Sequence, residues 1–202
     1  MFLMSSRTSP YGRVVRMAAH QRGLTDQIET RFAVTRVPDS PILQYNPTGK
    51  IPILVLDSGD VLSETRHICE YLDTLHTGEP IAPTNLPVAQ RALEGVAVGF
   101  LDGVAVWARE VRRPENERSP TILAHERTRA DRCINYFNAR VASLGEPTTY
   151  AVLCVLIGLA QLGLSIPEYA WRAGVPALAE WYQRGAARPE FSAMDPSADA
   201  GA

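Results

Sequence analysis

The sequence predicts two domains, an α/β domain followed by an all-helical domain. Up to about residue 76, short apolar runs of strand length alternate with helical patterns. A segment rich in Pro, Gly and Thr follows, and every element predicted after it is helical. We therefore predict an α/β domain at residues 1–76, a linker at 77–87 and a helical domain at 88–202.

The first domain is predicted to contain four strands and two helices. Residues 1–5 have the character of a short buried strand. A helix then begins at Ser9–Pro10 and ends near Arg22, because Ser at the N-cap with Pro at N1 is a strong start signal. Further strands are predicted at 28–34, 51–56 and 61–62, and a second helix at 64–75. The order βαβ followed by ββα is that of a thioredoxin-like domain.

The second domain is predicted to contain only helices, at 88–111, within 120–144, at 148–164 and at 176–188. The helix at 148–164 is apolar on all sides, which is typical of a central buried helix. The tail from Pro189 onward is predicted to be loose.

Composition and charge exclude several classes of function. The formal net charge of −2 gives no excess of positive charge to bind nucleic acid or an anionic membrane. No apolar run is long enough to span a bilayer, and the apolar start is too short for a signal peptide. Cys69, Cys133 and Cys154 lie far apart in apolar helical patterns, which predicts buried, reduced thiols in a cytosolic protein. The four histidines show no metal-ligand spacing.

Two neighbouring segments predict a binding site. Pro52 cannot donate to a sheet ladder, so it belongs at the first residue of a strand or at an edge. The Ile51–Pro52 bond is a candidate cis peptide, which would leave the N–H and C=O of Ile51 free to pair outside the sheet. The helix that begins at Glu64 offers unpaired N–H groups and the positive end of its dipole. Together they predict a small polar cradle for an extended peptide that carries carboxylates.

Several segments, taken in order, resemble soluble glutathione transferases. Asn46–Leu54 and Ser63–Leu72 resemble the glutathione site, and Ser5–Arg16 resembles the opening strand–helix turn of bacterial members. Arg112–Glu115 and Trp171–Leu178 extend the resemblance over nearly the whole chain. The resemblance implies the glutathione transferase fold, with a thioredoxin-like N-terminal domain and an all-α C-terminal domain.

Ser9 is the candidate catalytic residue. As a helix N-cap it is explained by structure alone, but a hydroxyl at a helix N-terminus also lies where anions are favoured. Lowering the pKa of a cysteine thiol by about two units takes roughly 2.7 kcal/mol, and a charge-assisted hydrogen bond supplies about 1.5–3 kcal/mol. The resemblance implies that Ser9 stabilises the glutathione thiolate. Ser5, Ser6 and Thr8 remain alternatives.

The resemblance also implies roles in binding glutathione. Glu64 would pair with the γ-glutamyl ammonium and Thr65 with the γ-glutamyl carboxylate, whereas the structural alternative is a helix capped by Ser63. Ile51 would pair with the cysteinyl backbone through its N–H and C=O, which a cis bond to Pro52 would leave free. Lys50 would hold the glycyl carboxylate, and its structural alternative is a solvated turn residue.

The function implied is that of a cytoplasmic, homodimeric glutathione transferase acting in detoxification. Glutathione is the co-substrate, no metal is required, and a hydrophobic electrophile would bind between the domains, where Trp107 and Arg109 are candidate contacts. Two alternatives stay open. One is a transferase-like interaction or regulatory protein without catalysis. The other is a glutathione-dependent peroxide or disulfide reductase, which the lack of a cysteine near Ser9 disfavours.

Overall fold

The computed structural model describes residues 1–194 and 196. The chain forms two compact units. The first contains Met1–Asn85, Thr148–Tyr150 and the described residues from Pro189 onward, and the second contains Leu86–Pro147 and Ala151–Arg188. The domain boundaries predicted at 76 and 88 stay a prediction. Unlike the predicted α/β domain, the first unit also includes the two segments from later in the chain.

The first unit is built on a four-stranded mixed sheet, as predicted. The strands are β1 (Phe2–Ser5), β2 (Glu29–Phe32), β3 (Ile53–Val55) and β4 (Val61–Ser63), in the order β2-β1-β3-β4. β1 is parallel to β2 and antiparallel to β3, and β3 is antiparallel to β4. The helices are α1 (Pro10–Gln21) and α2 (Thr65–Thr74). A single 3₁₀ turn at Pro41–Gln44 lies in the loop before β3.

The two central strands are buried on both faces. Leu3, Ile53 and Leu54 are each at most 1% exposed, so consecutive residues of β1 and β3 face apolar surroundings. This explains why their sequences are continuous apolar runs and not alternating patterns. β2 is an edge strand, and its residue Phe32 is 38% exposed.

A buried ion pair joins the C-terminal ends of α1 and α2. Arg22 Nε and Nη2 donate to Asp73 Oδ1 at 3.1 and 2.8 Å. The same carboxylate accepts from the backbone N–H of Ile81 at 2.8 Å and of Ala82 at 2.7 Å. Asp73 therefore fixes both helices and the chain that leaves α2, and Ile81 and Ala82 are buried beside it.

The second unit is helical, as predicted. Its helices are α3 (Val88–Glu110), α4 (Pro120–Asn138), α5 (Val141–Leu144), α6 (Tyr150–Ser165, whose first residue belongs to the first unit) and α7 (Pro176–Ala186). The helix predicted within 120–144 is thus two helices. The break comes at Arg140, whose φ of −125° and ψ of 17° leave the helical region. Residues 151–162 are buried throughout, which confirms the central helix.

The prediction of a loose tail is wrong for residues 189–194. A short helix, α8 (Pro189–Ser192), is followed by Met194, which is only 4% exposed. Arg13 Nε donates to the carbonyl of Met194 at 3.2 Å, and Arg16 Nη2 donates to the carbonyl of Ala193 at 3.4 Å. The tail is ordered because buried arginines of α1 bind its backbone. For residues 195 and 197–202 the prediction lies outside the described residues.

All three cysteines are free thiols, but they differ in burial. Cys69 and Cys154 are buried, as predicted. Cys133 is only partly buried, so the prediction is wrong there. Burial nevertheless raises the pKa of the Cys133 thiol, although the nearby charges of Arg132 and Arg129 act in the opposite direction. A thiol with a raised pKa is a poor nucleophile at neutral pH.

We expect Asp73→Asn to lower the free energy of unfolding by about 3–5 kcal/mol, because it leaves the buried Arg22 guanidinium without a carboxylate. Glu180→Gln is the control. It breaks an exposed ion pair with Arg184 and should change stability by less than about 1 kcal/mol. Urea denaturation of both variants measures the difference. Equal effects from the two substitutions would contradict the anchoring role of Asp73.

Candidate functional site

The register of the sheet brings the predicted site segments to one end of the first unit. Met4 pairs with Ile53, and Ile53 pairs with Ser63. The end of β1, the beginning of β3 and the end of β4 therefore lie side by side. The loop before α1, the segment before β3 and the first turn of α2 each continue directly from these strand ends.

Ser9 is the N-cap of α1, as predicted. Its φ of −66° and ψ of 120° are extended, Pro10 follows at N1, and its Oγ accepts a hydrogen bond from the Gly12 N–H at 3.2 Å. The side chain is half-buried, and among the described residues its O–H donates to none. The hydroxyl therefore has a proton to offer to a ligand, at the positive end of a 12-residue helix.

The alternative hydroxyls differ in accessibility. Ser5 is fully buried, and its Oγ donates to the carbonyl of Ser6 at 3.2 Å. Ser6 is half-buried and Thr8 is exposed. Burial removes the Ser5 hydroxyl from direct contact with a ligand, so Ser6 and Thr8 are the alternatives to Ser9 that reach solvent.

The Ile51–Pro52 peptide is cis, which confirms that prediction. Pro52 is buried directly before β3, Ile51 is half-buried and Lys50 is exposed. No described residue forms a hydrogen bond with the N–H or C=O of Ile51. A ligand with an extended backbone can therefore use both groups.

A buried asparagine shapes the turn that precedes this segment. Asn46, which is 5% exposed, donates from Nδ2 to the carbonyl of Lys50 at 3.1 Å. Its Oδ1 accepts from the N–H and the hydroxyl of Thr48 at 3.1 and 2.9 Å. The side chain thus closes the turn in which Gly49 has a φ of 64°. Sequence reasoning missed Asn46, although an Asn two residues before Thr is a known turn signal.

Glu64, and not Ser63, occupies the N-cap of α2, so the structural alternative of a helix capped by Ser63 is wrong. Ser63 is still part of β4, where it pairs with Ile53. Glu64 is the single residue between β4 and the start of α2. Glu64 makes the whole change of direction with a φ of 69° and a ψ of 127°, and its side chain forms no capping hydrogen bond.

This backbone conformation is unusual for a residue other than glycine, and such strain concentrates at ligand sites. The strained turn leaves the Glu64 carboxylate exposed and, among the described residues, without an ion-pair partner. Thr65 follows as the first residue of α2 and is 5% exposed. Its N–H belongs to the first turn of the helix, which has no intrahelical acceptor.

The arrangement is complementary to a zwitterionic peptide. It offers an exposed carboxylate (Glu64), an exposed ammonium (Lys50), an unpaired backbone amide (Ile51) and the N-terminal ends of two helices. Within residues 1–194 and 196, no cluster of His, Cys, Asp and Glu side chains could hold a metal ion. Nor does any helix in that part of the chain have the length and apolarity to cross a membrane.

The two candidate acceptor contacts occupy different environments in the second unit. Trp107 is 6% exposed on α3, and its ring centroid lies 5.0 Å from that of Tyr169. This contact belongs to the packing of the unit. Arg109, two residues later, is exposed.

Known proteins resemble this chain in sequence and fold. The family model described as the N-terminal domain of glutathione S-transferase matches residues 8–75. A crystal structure of a glutathione transferase family member from Pseudomonas fluorescens Pf-5 has glutathione bound. It is 30% identical, with a TM-score of 0.88, and the match covers 96% of this chain and 98% of that one.

Two further relatives extend the comparison. A glutathione S-transferase from Methylobacillus flagellatus KT, also with glutathione bound, is 28% identical with a TM-score of 0.82, over 96% of this chain and 98% of that one. The uncharacterized GST-like protein YibF of Escherichia coli K12 is 23% identical over 97% of this chain and 98% of its own length. Since a full-length relative reaches 30% identity and the N-terminal model matches, the chain belongs to the glutathione transferase family.

Proposed function

We propose that the protein is a glutathione transferase that binds glutathione and conjugates its thiolate to a hydrophobic electrophile. The observation that carries the proposal is the convergence of Ser9, the unpaired Ile51 amide and the exposed Glu64 carboxylate at one end of the sheet. The glutathione bound to the relatives from Pseudomonas fluorescens and Methylobacillus flagellatus supports it.

In the proposed complex, the charges of glutathione meet opposite charges on the protein. Glu64 pairs with the γ-glutamyl ammonium, and the Thr65 N–H and hydroxyl bind the adjacent carboxylate at the start of α2. The N–H and C=O of Ile51, held by the Pro52 bond, pair with the cysteinyl backbone. Lys50 approaches the glycyl carboxylate. These contacts direct the cysteinyl sulfur toward the loop that carries Ser9.

Ser9 then stabilises the sulfur as an anion. The thiol loses its proton to solvent, and the Ser9 O–H donates to the thiolate while Ser9 Oγ keeps its bond from the Gly12 N–H. The thiolate attacks an electrophilic carbon, a C–S bond forms, and the leaving group departs with its electron pair. The protein contributes binding, orientation and stabilisation of the thiolate.

The setting of this reaction is part of the proposal. Free cysteines fit a reducing compartment, so we place the enzyme in the cytoplasm. That it forms a homodimer and acts in detoxification is proposed from its membership of the family. Reduction of disulfides through a cysteine of the protein is disfavoured, because the nearest cysteine in sequence to the proposed site, Cys69, is buried in α2. A transferase-like interaction or regulatory protein without catalysis would show no conjugation, and a glutathione-affinity column would separate it from a transferase.

Replacing Glu64 tests the binding role and the strained turn together. Glu64→Ala and Glu64→Gly both remove the carboxylate, so both should weaken glutathione binding by roughly 30-fold or more, about 2 kcal/mol. Because glycine adopts positive φ freely, Glu64→Gly should be more stable than Glu64→Ala by about 1 kcal/mol. Calorimetric titration with glutathione and urea denaturation measure the two quantities.

The control for the Glu64 variants is Asp26→Ala. Asp26 is an exposed acid just before β2, at the opposite end of the sheet from Ser5. Its removal changes net charge equally and should leave glutathione affinity unchanged. If Glu64→Ala and Asp26→Ala bind glutathione equally well, Glu64 does not hold the ammonium.

Ser9→Ala should slow conjugation and leave glutathione affinity nearly unchanged, since the hydroxyl acts on the sulfur and not on the charged ends of the peptide. The apparent pKa of bound glutathione should rise, because only the helix N-terminus, about 0.3–1 kcal/mol, then favours the anion. The measurement is a pH–rate profile with a chromogenic aryl halide, and Ser9→Thr, which keeps the hydroxyl, should retain the parent profile.

Ser119→Ala separates catalysis from helix capping. Ser119 caps α4 with the same Ser-Pro arrangement, and its Oγ accepts from the Ile122 N–H at 3.4 Å. Both alanine variants should lose about 0.5–2 kcal/mol of stability, but only Ser9→Ala should shift the profile. Superimposable profiles for the parent and Ser9→Ala would leave Ser9 as a cap alone and make Ser6 and Thr8 the next hydroxyls to replace.

A further inference from the structure

The first turn of α1 touches the end of β1 more closely than any side chain at position 12 would allow. A Cβ on Gly12 would lie 1.9 Å from Ser5 Oγ and 3.1 Å from Ser5 Cβ. The φ of Gly12 is not in the left-handed region, so the backbone conformation itself does not call for glycine. Glycine is needed at position 12 because the Ser5 side chain occupies the space that a Cβ would take.

Ser5 cannot move aside easily. It is fully buried at the last position of β1, in register with Phe32 of β2. Rotation of its hydroxyl away from Gly12 would break the bond to the Ser6 carbonyl and bury a polar group without its partner. Even after rotation, Ser5 Cβ would lie 3.1 Å from an added methyl group, so the backbone of β1 or α1 would have to give by a few tenths of an ångström.

The same few atoms determine where the Ser9 hydroxyl lies. The Ser6 carbonyl accepts from Ser5 Oγ at 3.2 Å and from the Ser9 N–H at 3.3 Å, which closes the loop between β1 and α1. The Gly12 N–H donates to Ser9 Oγ at 3.2 Å. Ser9 is thus held on one side through the Ser6 carbonyl and on the other side by the Gly12 N–H. Ser5 is in contact with both Ser6 and Gly12.

We propose that the contact between Ser5 and Gly12 sets the position of the Ser9 hydroxyl, so that Ser5 and Gly12 are positioning residues for the reaction. The inference rests on the proposed function, in which Ser9 stabilises the thiolate. A bulkier residue at position 12 tilts the first turn of α1 away from β1 and moves the hydroxyl off the sulfur. The contacts to the charged ends of glutathione lie in the segment before β3 and at the start of α2, and they stay in place.

Gly12→Ala tests this role, and Gly163→Ala is the matched control, since Gly163 lies within α6 where an added methyl group meets no atom within 4 Å. We expect Gly12→Ala to lower kcat by about 10- to 100-fold and to raise the apparent pKa of bound glutathione. Its affinity for glutathione should stay within about three-fold of the parent. Gly163→Ala should match the parent in all three quantities. Unchanged kcat and an unchanged pH–rate profile in Gly12→Ala overturn the proposal.

Two double variants distinguish positioning from general loss of structure. Gly12→Ala/Ser5→Gly removes the clash, so it should recover most of the kcat lost by Gly12→Ala, measured relative to Ser5→Gly alone. Gly12→Ala should have little further effect in a Ser9→Ala background, because it acts through that hydroxyl. If the double variant recovers nothing, or if Gly12→Ala is equally harmful without the Ser9 hydroxyl, the proposal is wrong.

A last variant makes the test independent of glutathione. Ser9→Cys places a thiol at the helix N-cap, where its pKa should lie below the usual value of about 8.5. Adding Gly12→Ala should raise that pKa by roughly one unit, because the thiolate loses the N–H at position 12. The pH dependence of alkylation, with the modified peptide identified by mass spectrometry, gives both values. Equal values overturn the positioning role, whereas a parent protein that binds no glutathione overturns the proposed function alone.

Discussion

The register of β1, β3 and β4 is the constraint on which the proposed site depends. β1 and β4 end, and β3 begins, at the same end of the sheet, and a segment of the proposed site adjoins each of these strand ends. A shift of one residue in the pairing would move each side chain of β3, such as Leu54, to the opposite face of the sheet and disrupt the packing of both buried faces, so packing of the central strands fixes the register. The hydrophobic core thereby positions polar groups that take no part in it.

The strain at Glu64 follows from the same register. β4 keeps its pairing up to Ser63, and α2 begins at Thr65, so a single residue has to reverse the backbone between them. A glycine would do this at lower cost, yet the position holds a glutamate with an exposed carboxylate. The sequence thus places a charged group where backbone stability alone would favour glycine, which supports the proposed role of Glu64 in binding.

Much of the fold could be predicted because local patterns report it. The Ser9–Pro10 cap, the buried runs of β1 and β3 and the apolar α6 each depend on neighbours within a few residues. What could not be predicted depends on contacts between distant residues. The pairing of Arg22 with Asp73 spans 51 positions, and the bond from Arg13 to Met194 spans 181. No periodicity or cap signal carries such information.

The candidate site divides in the same way. Pro52 and Glu64 are visible in the sequence because their residue types restrict the backbone or carry charge. Asn46 and Gly12 act by shaping the backbone around other residues, and their importance depends on a buried partner or a short distance. Sequence reasoning did not identify Glu64 as the N-cap of α2. Ser63 is of a type preferred at caps, but it is still paired in β4.

The return of the C-terminal segment to α1 has a consequence for synthesis of the protein. A chain emerging from the ribosome presents α1 early, with Arg13 and Arg16 on the face that Ala193 and Met194 later cover. Folding during translation proceeds from the N-terminus, so the first unit can form its sheet while these guanidinium groups still face water. The contacts of α1 with residues 193 and 194 form only once this later segment has been synthesised. Completion of the first unit therefore follows synthesis of the entire second unit.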